Sequence, residues 1–190
     1  RLWRHSIYCA KLCQVLGEAL GRLVGEAFTV GLLHDVGKIL LCHYNHKAFA
    51  LALHNYTYEK GKIAHWESED RVLGINHALV GFFAGENWKL PPLVREAISN
   101  HHSPLLGESP RDDGQSLTQM VHLSDLLCNI MGYSSVPIFQ DPEATAPLRR
   151  VDERLYSFLS LSREDMEAAL DNFQRRKGEA EAFFPLMEGG

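Results

Sequence analysis

His5-Ser6-Ile7-Tyr8-Cys9-Ala10-Lys11-Leu12-Cys13-Gln14-Val15-Leu16 places Tyr8, Cys9, Leu12, Cys13 and Leu16 at the three- and four-residue spacing of one helix face. His5 extends that stripe back by one turn, and Gly17 with Gly21 marks its end. The same period recurs along the chain with no alternating strand pattern, so the fold class is all-α, a single helical bundle domain. A second helix is expected from about Glu26 to Cys42 and a third from roughly Lys47 to Lys60, where Gly61 breaks it. A fourth runs from Glu67 or Ser68 to Trp88, before Leu90-Pro91-Pro92 stops it and opens the fifth. In the fifth, Val94, Ala97, Ile98 and His101 share a face, and Ser103-Pro104 ends it directly behind His102.

Gly107 to Gly114 reads as a surface loop, and Leu117, Met120, Val121, Ser124, Leu127, Cys128 and Met131 stripe a sixth helix. Asp125 lies one turn from both Val121 and Cys128, where a carboxylate needs a partner. The proline-bearing stretch from Ser134 to Pro147 is the boundary candidate. It divides a helical core, residues 1–132, from a C-terminal helical appendage, 133–190, packed on that core. Ser162-Arg163-Glu164-Asp165 offers a capping box for a last helix to about Arg176, a tail expected to pack and not to carry chemistry.

A chain of 190 residues with 45% hydrophobic content has enough apolar side chains for a sizeable core. Its formal charge of -5 lacks the basic excess of a phosphate-backbone binder, which argues against nucleic acid as a partner. No apolar run reaches the ~18 residues of a membrane span, and the start at Arg1 has no signal-peptide layout. The expectation is a cytoplasmic protein, no membrane contact, and a chain that begins within a longer protein. Cys9, Cys13, Cys42 and Cys128 show no Cys-x-x-Cys pairing and sit among apolar neighbours, as buried thiols filling a core in a reducing compartment do.

His5, His34, Asp35, His77, His101, His102 and Asp125 fall on apolar faces of five expected helices, where an unpaired polar side chain is costly. Imidazole and carboxylate together are ligands for iron, manganese or zinc over a phosphate. Taken singly, each histidine is better explained as a hydrogen-bonded core residue; taken together, the seven favour the inner wall of a two-metal site. His43, His46, His54, His65 and His122 lie in polar or helix-end surroundings and are assigned to the surface or to ordinary hydrogen bonding. Lys38, three positions after Asp35, reaches toward a phosphate oxygen or is a solvated lysine, the spacing alone not deciding. Gly31 and Gly37 are expected to allow close helix approach.

Leu32-Leu33-His34-Asp35-Val36-Gly37-Lys38 resembles the HD superfamily of metal-dependent phosphohydrolases, all-helical proteins named for the His-Asp doublet. Leu2-Trp3-Arg4-His5-Ser6, Ala27 through Asp35, Asn76-His77-Ala78-Leu79-Val80-Gly81, and Trp88-Lys89-Leu90-Pro91 through Asn100-His101-His102 narrow the resemblance to the HDOD family of bacterial signalling domains, over about residues 1–132. The chain keeps every position that the related HD-GYP phosphodiesterases use for metals. That resemblance implies a first ion on His5, His34, Asp35 and Asp125, and a second on His77, His101 and His102, with Asp35 bridging. Two divalent transition-metal ions are implied, iron or manganese ahead of zinc, nickel or cobalt, with catalytic roles for Asp35 and for Lys38 against a phosphorylated or nucleotide ligand. Ser103 to Pro110 replaces the Gly-Tyr-Pro segment of that relative, which weighs against cyclic di-GMP as substrate. The family usually carries helices ahead of the Trp-Arg-His segment, and many members lack part of the ligand set and any established activity. The implied function is therefore a signal-transduction domain acting as a phosphohydrolase or phosphodiesterase, or a non-catalytic signalling or ligand-sensing module with a structural metal site. Signalling proteins or fused domains are the implied partners of either.

Overall fold

The stripe on the first helix becomes its buried face: in the computed structural model Cys9, Leu12, Cys13, Val15 and Leu16 of α1 (Leu2–Leu20) are sealed from solvent. Gly21 closes that helix in the left-handed conformation at φ 66°, with backbone bonds back to Glu18 and Gly17. The structure describes residues 1–60, 62–107, 109–136, 147–182 and 184. Gly61 and residues 137–146 of the expected boundary stretch lie outside them.

Nine further α-helices and one 3-10 turn follow among the described residues: α2 (Val24–Leu33), α3 (Val36–Tyr44), α4 (His46–Tyr58), α5 (His65–Leu73), α6 (His77–Asn87), α7 (Pro92–Asn100), α8 (Asp113–Ile130), the 3-10 turn Pro147–Arg150, α9 (Glu153–Ser157) and α10 (Arg163–Glu181). No strand occurs among the described residues, so the fold is all-α. Helix α1 packs against α2, α8 and α10, while α7 lies between α6 and α8, and α3 crosses α6. One apolar cluster runs through α1, α2, α7 and α8 and continues into Leu155, Phe158, Met166 and Phe173 of the C-terminal segment. Truncating a fully enclosed member such as Leu12 is expected to cost about 2–5 kcal/mol.

Two expected helices are each broken in two. The second stops at Leu33 and restarts at Val36, and Asp35 between them takes φ -97°, ψ 5°. The fourth is interrupted by Gly74, which caps α5 at φ 74°, and by Asn76, which caps α6 by accepting from the Leu79 amide at 3.1 Å. Apolar periodicity carries across both breaks, which is why the pattern reads as continuous, whereas Gly74 and Asn76 are ordinary stop and start residues. The last helix keeps its expected box, with Ser162 and Asp165 exchanging hydrogen bonds, and runs past Arg176 to Glu181.

Two glycines set the distances at the centre. A Cβ on Gly31 would lie 2.6 Å from the Ala10 Cα, so α2 approaches α1 at backbone contact. A Cβ on Gly37 would lie 1.9 Å from the His77 carbonyl oxygen, so α3 runs directly beneath the start of α6. Both contacts draw the helix break at His34-Asp35 into the middle of the bundle.

Candidate metal centre

Helix ends supply most of the polar side chains that meet at this centre. His34 and His101 each sit just past the last turn of a helix, where carbonyls lack an intrahelical partner, and each ring donates from Nδ1 to the carbonyl three residues back: Gly31 at 2.8 Å and Ile98 at 2.6 Å. Asp35 occupies the N-cap of α3 without capping it, its carboxylate being turned inward. His77 opens α6, and both its backbone N–H and its Nδ1 donate to Glu69 Oε2, at 2.7 and 2.6 Å. His5 comes from α1 and Asp125 from α8, with His5 Nδ1 donating to the Tyr133 carbonyl at 2.6 Å.

All seven residues of the expected set converge, in two groups that share Asp35. His5 Nε2 stands 3.1 Å from Asp125 Oδ1, 3.3 Å from His34 Nε2 and 3.7 Å from Asp35 Oδ2, which is also 3.7 Å from His34 Nε2. On the other side, Asp35 Oδ1 faces His77 Nε2 at 3.3 Å and His101 Nε2 at 3.9 Å, and His102 Nε2 is 2.8 Å from His77 Nε2. Lys38 Nζ donates to Asp35 Oδ2 at 2.7 Å, and Ser135 Oγ donates to the same oxygen at 3.2 Å.

The hydrogen-bond network assigns the tautomers. Carbonyl and carboxylate oxygens only accept, so Nδ1 carries the proton in His5, His34, His77 and His101. In the neutral rings of His34, His77 and His101 the Nε2 lone pair then points into the centre, the orientation in which a histidine binds a metal. Burial, reinforced by the Lys38 charge, pushes His77 down to about 4; burial and neighbouring His77 push His102 down to about 3. His101 and His34 are also lowered, by burial first. His5 differs. Burial opposes its proton, but the hydrogen bond and charge of Asp125, with Asp35 behind, outweigh it and raise His5 to about 9. Asp35 is held well below the usual carboxylate range against the pull of burial, chiefly by Lys38.

This donor set fits a metal ion. Asp35 Oδ1 and His101 Nε2 are buried and have no hydrogen-bond partner among the described residues, an expensive arrangement unless something accepts their lone pairs. Metal–imidazole bonds of about 2.0–2.1 Å separate neighbouring donors by roughly 3–3.4 Å, within the observed range of 2.8 to 3.9 Å. His5, His34 and Asp125, then His77, His101 and His102, then His34, Asp35 and His101, form compact groups of this kind.

A cavity of about 410 Å³ opens onto the centre, reaching Lys38, His102 and Asp125 and walled by Tyr56, Trp66, Ser135 and Arg150. Trp66 lies nearly parallel to the His102 ring at 6.1 Å between centroids. Arg150 reaches that wall from the 3-10 turn ahead of α9.

Of the two expectations for His65, surface or ordinary hydrogen bonding, the surface one fails. The residue is 8% exposed, not a surface residue, and its Nδ1 lies 3.1 Å from Glu69 Oε1. Glu69 is fully buried between His65 and His77 and was not singled out in the sequence, although His65 and Glu69 stand four apart on one helix turn. His43, His46 and His54 are exposed, and His122 donates from Nδ1 to the His101 carbonyl at 2.8 Å, an ordinary hydrogen bond. No helix among the described residues is long and apolar enough to cross a membrane.

The structure resembles three solved bacterial proteins: a "Putative signal transduction protein" from Marinobacter aquaeolei VT8 (22% identity, TM-score 0.74), an "HDOD domain protein with unknown function" from Geobacter sulfurreducens (24%, 0.71) and a "Putative phosphohydrolase" from Shewanella amazonensis SB2B (20%, 0.71). These matches cover 96, 96 and 94% of this chain but only 38, 60 and 60% of the others. At such identities the likeness establishes the fold. The family model of the HDOD domain matches residues 1–104, which include every member of the seven-residue set except Asp125. The chain, matched over more than half its length by that model, belongs to the HDOD domain family.

Proposed function

We propose that this chain is an HDOD signalling domain whose centre holds two divalent transition-metal ions and hydrolyses a phosphoester. The observation that carries the proposal is the division of labour at Asp35: Oδ2 faces His5 and His34, while Oδ1 faces His77 and His101. One carboxylate between two sets of inward imidazole nitrogens is the arrangement of a bridged pair of ions. His5, His34 and Asp125 would hold one ion, His77, His101 and His102 the other, and Asp35 both. Iron and manganese suit a mixed imidazole and carboxylate set, with zinc, nickel and cobalt next. When bound, two such ions acidify water and neutralise phosphoryl charge.

The remaining roles belong to the chain. Lys38, buried and raised in pKa by Asp35 against the effect of burial, keeps its charge beside the cavity and would bind a phosphoryl oxygen. Trp66 and Tyr56 offer aromatic faces on the same wall, which would suit a nucleotide-like ligand. The helix ends beneath His34, His77 and His101 fix the rings through Nδ1 and leave little reorientation to be done on loading.

A second reading, a ligand-sensing module without turnover, is favoured by one observation: the Lys38 ammonium and the Ser135 hydroxyl already occupy Asp35 Oδ2. One experiment separates the two readings. Protein purified anaerobically should contain about two metal ions per chain and hydrolyse at least one of a phosphomonoester, a cyclic dinucleotide and a linear dinucleotide. Lys38→Ala should lower that rate and leave metal content unchanged. Full metal content with no hydrolysis of any of the three would discard the enzyme in favour of the sensing module, and absence of metal would discard both.

A further inference from the structure

Beneath the first donor group lies a thiol that the seven-residue set does not include. Cys9 follows His5 by one helix turn on α1, is fully buried, and its Sγ stands 3.6 Å from His5 Nε2. Sγ, His5, His34 and Asp125 form one compact group in which every donor atom lies within 4.8 Å of every other. Cys13 and Cys128, equally buried, belong to no such group among the described residues. Cys9 is a free thiol in the apolar cluster, the one cysteine there whose sulfur reaches the donor group.

We infer that Cys9 is a sulfur ligand to the ion held by His5, His34 and Asp125, making that site the softer of the two and selective for iron, cobalt or zinc over magnesium and manganese. The inference rests on the two-metal reading above. Metal–sulfur bonds of about 2.3 Å beside metal–nitrogen bonds of about 2.0–2.1 Å separate the two donors by roughly 3.1–3.8 Å at the angles of about 90–120° of a five- or six-ligand shell. The 3.6 Å between Cys9 Sγ and His5 Nε2 lies within that span. Loading is a ligand exchange: the Cys9 S–H and His5 Nε2–H bonds break, a metal–sulfur and a metal–nitrogen bond form, and two protons leave to solvent. No oxidant or reductant is required. The second group, His77, His101 and His102 with the shared Asp35, has nitrogen and carboxylate donors only, so the two ions would differ in kind and in the ease with which manganese replaces them.

The test uses cobalt(II) on the whole chain. Cobalt-loaded wild type should show a sulfur-to-cobalt charge-transfer band in the near ultraviolet, and X-ray absorption should place one sulfur at about 2.3 Å from part of the cobalt. Cys9→Ser should lose both signals while retaining cobalt, and Cys128→Ser should keep them. If Cys9→Ser does not fold, the absorption spectrum of the wild type still decides, because a sulfur-free shell overturns the proposal without any variant. About two cobalt ions per chain with no sulfur signal would remove Cys9 as a ligand and leave the two-metal centre standing. A chain that binds no cobalt, iron or zinc would remove both.

Discussion

The two halves of the centre are made of different material. His5 and Asp125 come from within long helices whose neighbours are the most enclosed side chains of the protein, and they meet as a charged pair. His77, His101 and His102 come from the start of one helix and the end of another and carry no carboxylate of their own; they border the open cavity through His102, as the first half does through Asp125. The first half is thus coupled to the core, since moving it means moving α1 against α8. The second half hangs on local hydrogen bonds at helix termini, with Glu69 as its anchor. An ion in the first half should behave as part of the fold, and an ion in the second half should exchange with solution.

The comparison breaks most completely at Asp35, the one residue both halves share. Asp35→Ala should abolish binding of both ions, with elemental analysis falling from about two per chain toward none. In chelator the same variant strands the Lys38 ammonium, which is 8% exposed, without its carboxylate, so a destabilisation of about 3–5 kcal/mol is expected in denaturant titration. Full occupancy in this variant would refute the bridging role.

Removing His77 should instead separate the halves. His77→Ala is expected to retain the ion on His5, His34 and Asp125, lose the other, and lose hydrolysis altogether, giving about one ion per chain. Loss of both ions would show that the halves are not independent, and loss of neither would show that His77 is not a ligand of the second.

Without metal, His77 of the second half and His5 of the first should carry opposite pH signatures. His77 is lowered to about 4 from 6.5, so its contribution to stability is present above pH 6.5 and is lost as pH falls toward 4. His5 is raised to about 9, so its contribution is present below pH 6.5 and is lost as pH climbs through 9. Each limb is worth on the order of 3 kcal/mol at most. Denaturation midpoints of the chelated protein against pH should become less steep on the acid side in His77→Ala, with His34, His101 and His102 keeping the rest of that slope, and should flatten on the alkaline side in His5→Ala. The reverse assignment would invert the account of which half holds the proton.

The anchor of the second half offers a finer test. Glu69→Gln keeps an oxygen able to accept from His77 Nδ1 and removes the charge behind it, so the second ion should bind about 10–100-fold more weakly and the first as before. Equal loss at both ions in a metal titration would mean that Glu69 supports the fold and not the ring.

The helices were legible from apolar spacing wherever a stripe persisted, as along α1 and α8, and so were the seven converging residues, because each was a polar side chain on an apolar face. The breaks at His34-Asp35 and Gly74-Ile75-Asn76 were not, since periodicity bridges a two- or three-residue interruption and the local stop signals are short. The same breaks create the site, by turning helix ends and their spare carbonyls inward. Glu69 and His65 were missed for a related reason. Their spacing is that of any surface ion pair on a helix, and only tertiary packing buries it. Ser135 reaches Asp35 from a hundred residues away, a pairing with no local signal.

The smallest expected effect marks the outer edge of the centre. His122 touches the second half only through the His101 backbone, donating from Nδ1 to that carbonyl at 2.8 Å, and its ring is partly exposed to solvent. His122→Ala removes one hydrogen bond worth about 1 kcal/mol and leaves the His101 ring, which is fixed by the Ile98 carbonyl, where it was. The variant should therefore melt slightly earlier and keep both ions. A selective fall in second-site occupancy would extend the centre one residue further than its hydrogen bonds indicate, and would make the α7 to α8 contact, not the helix end alone, the feature that holds His101 in place.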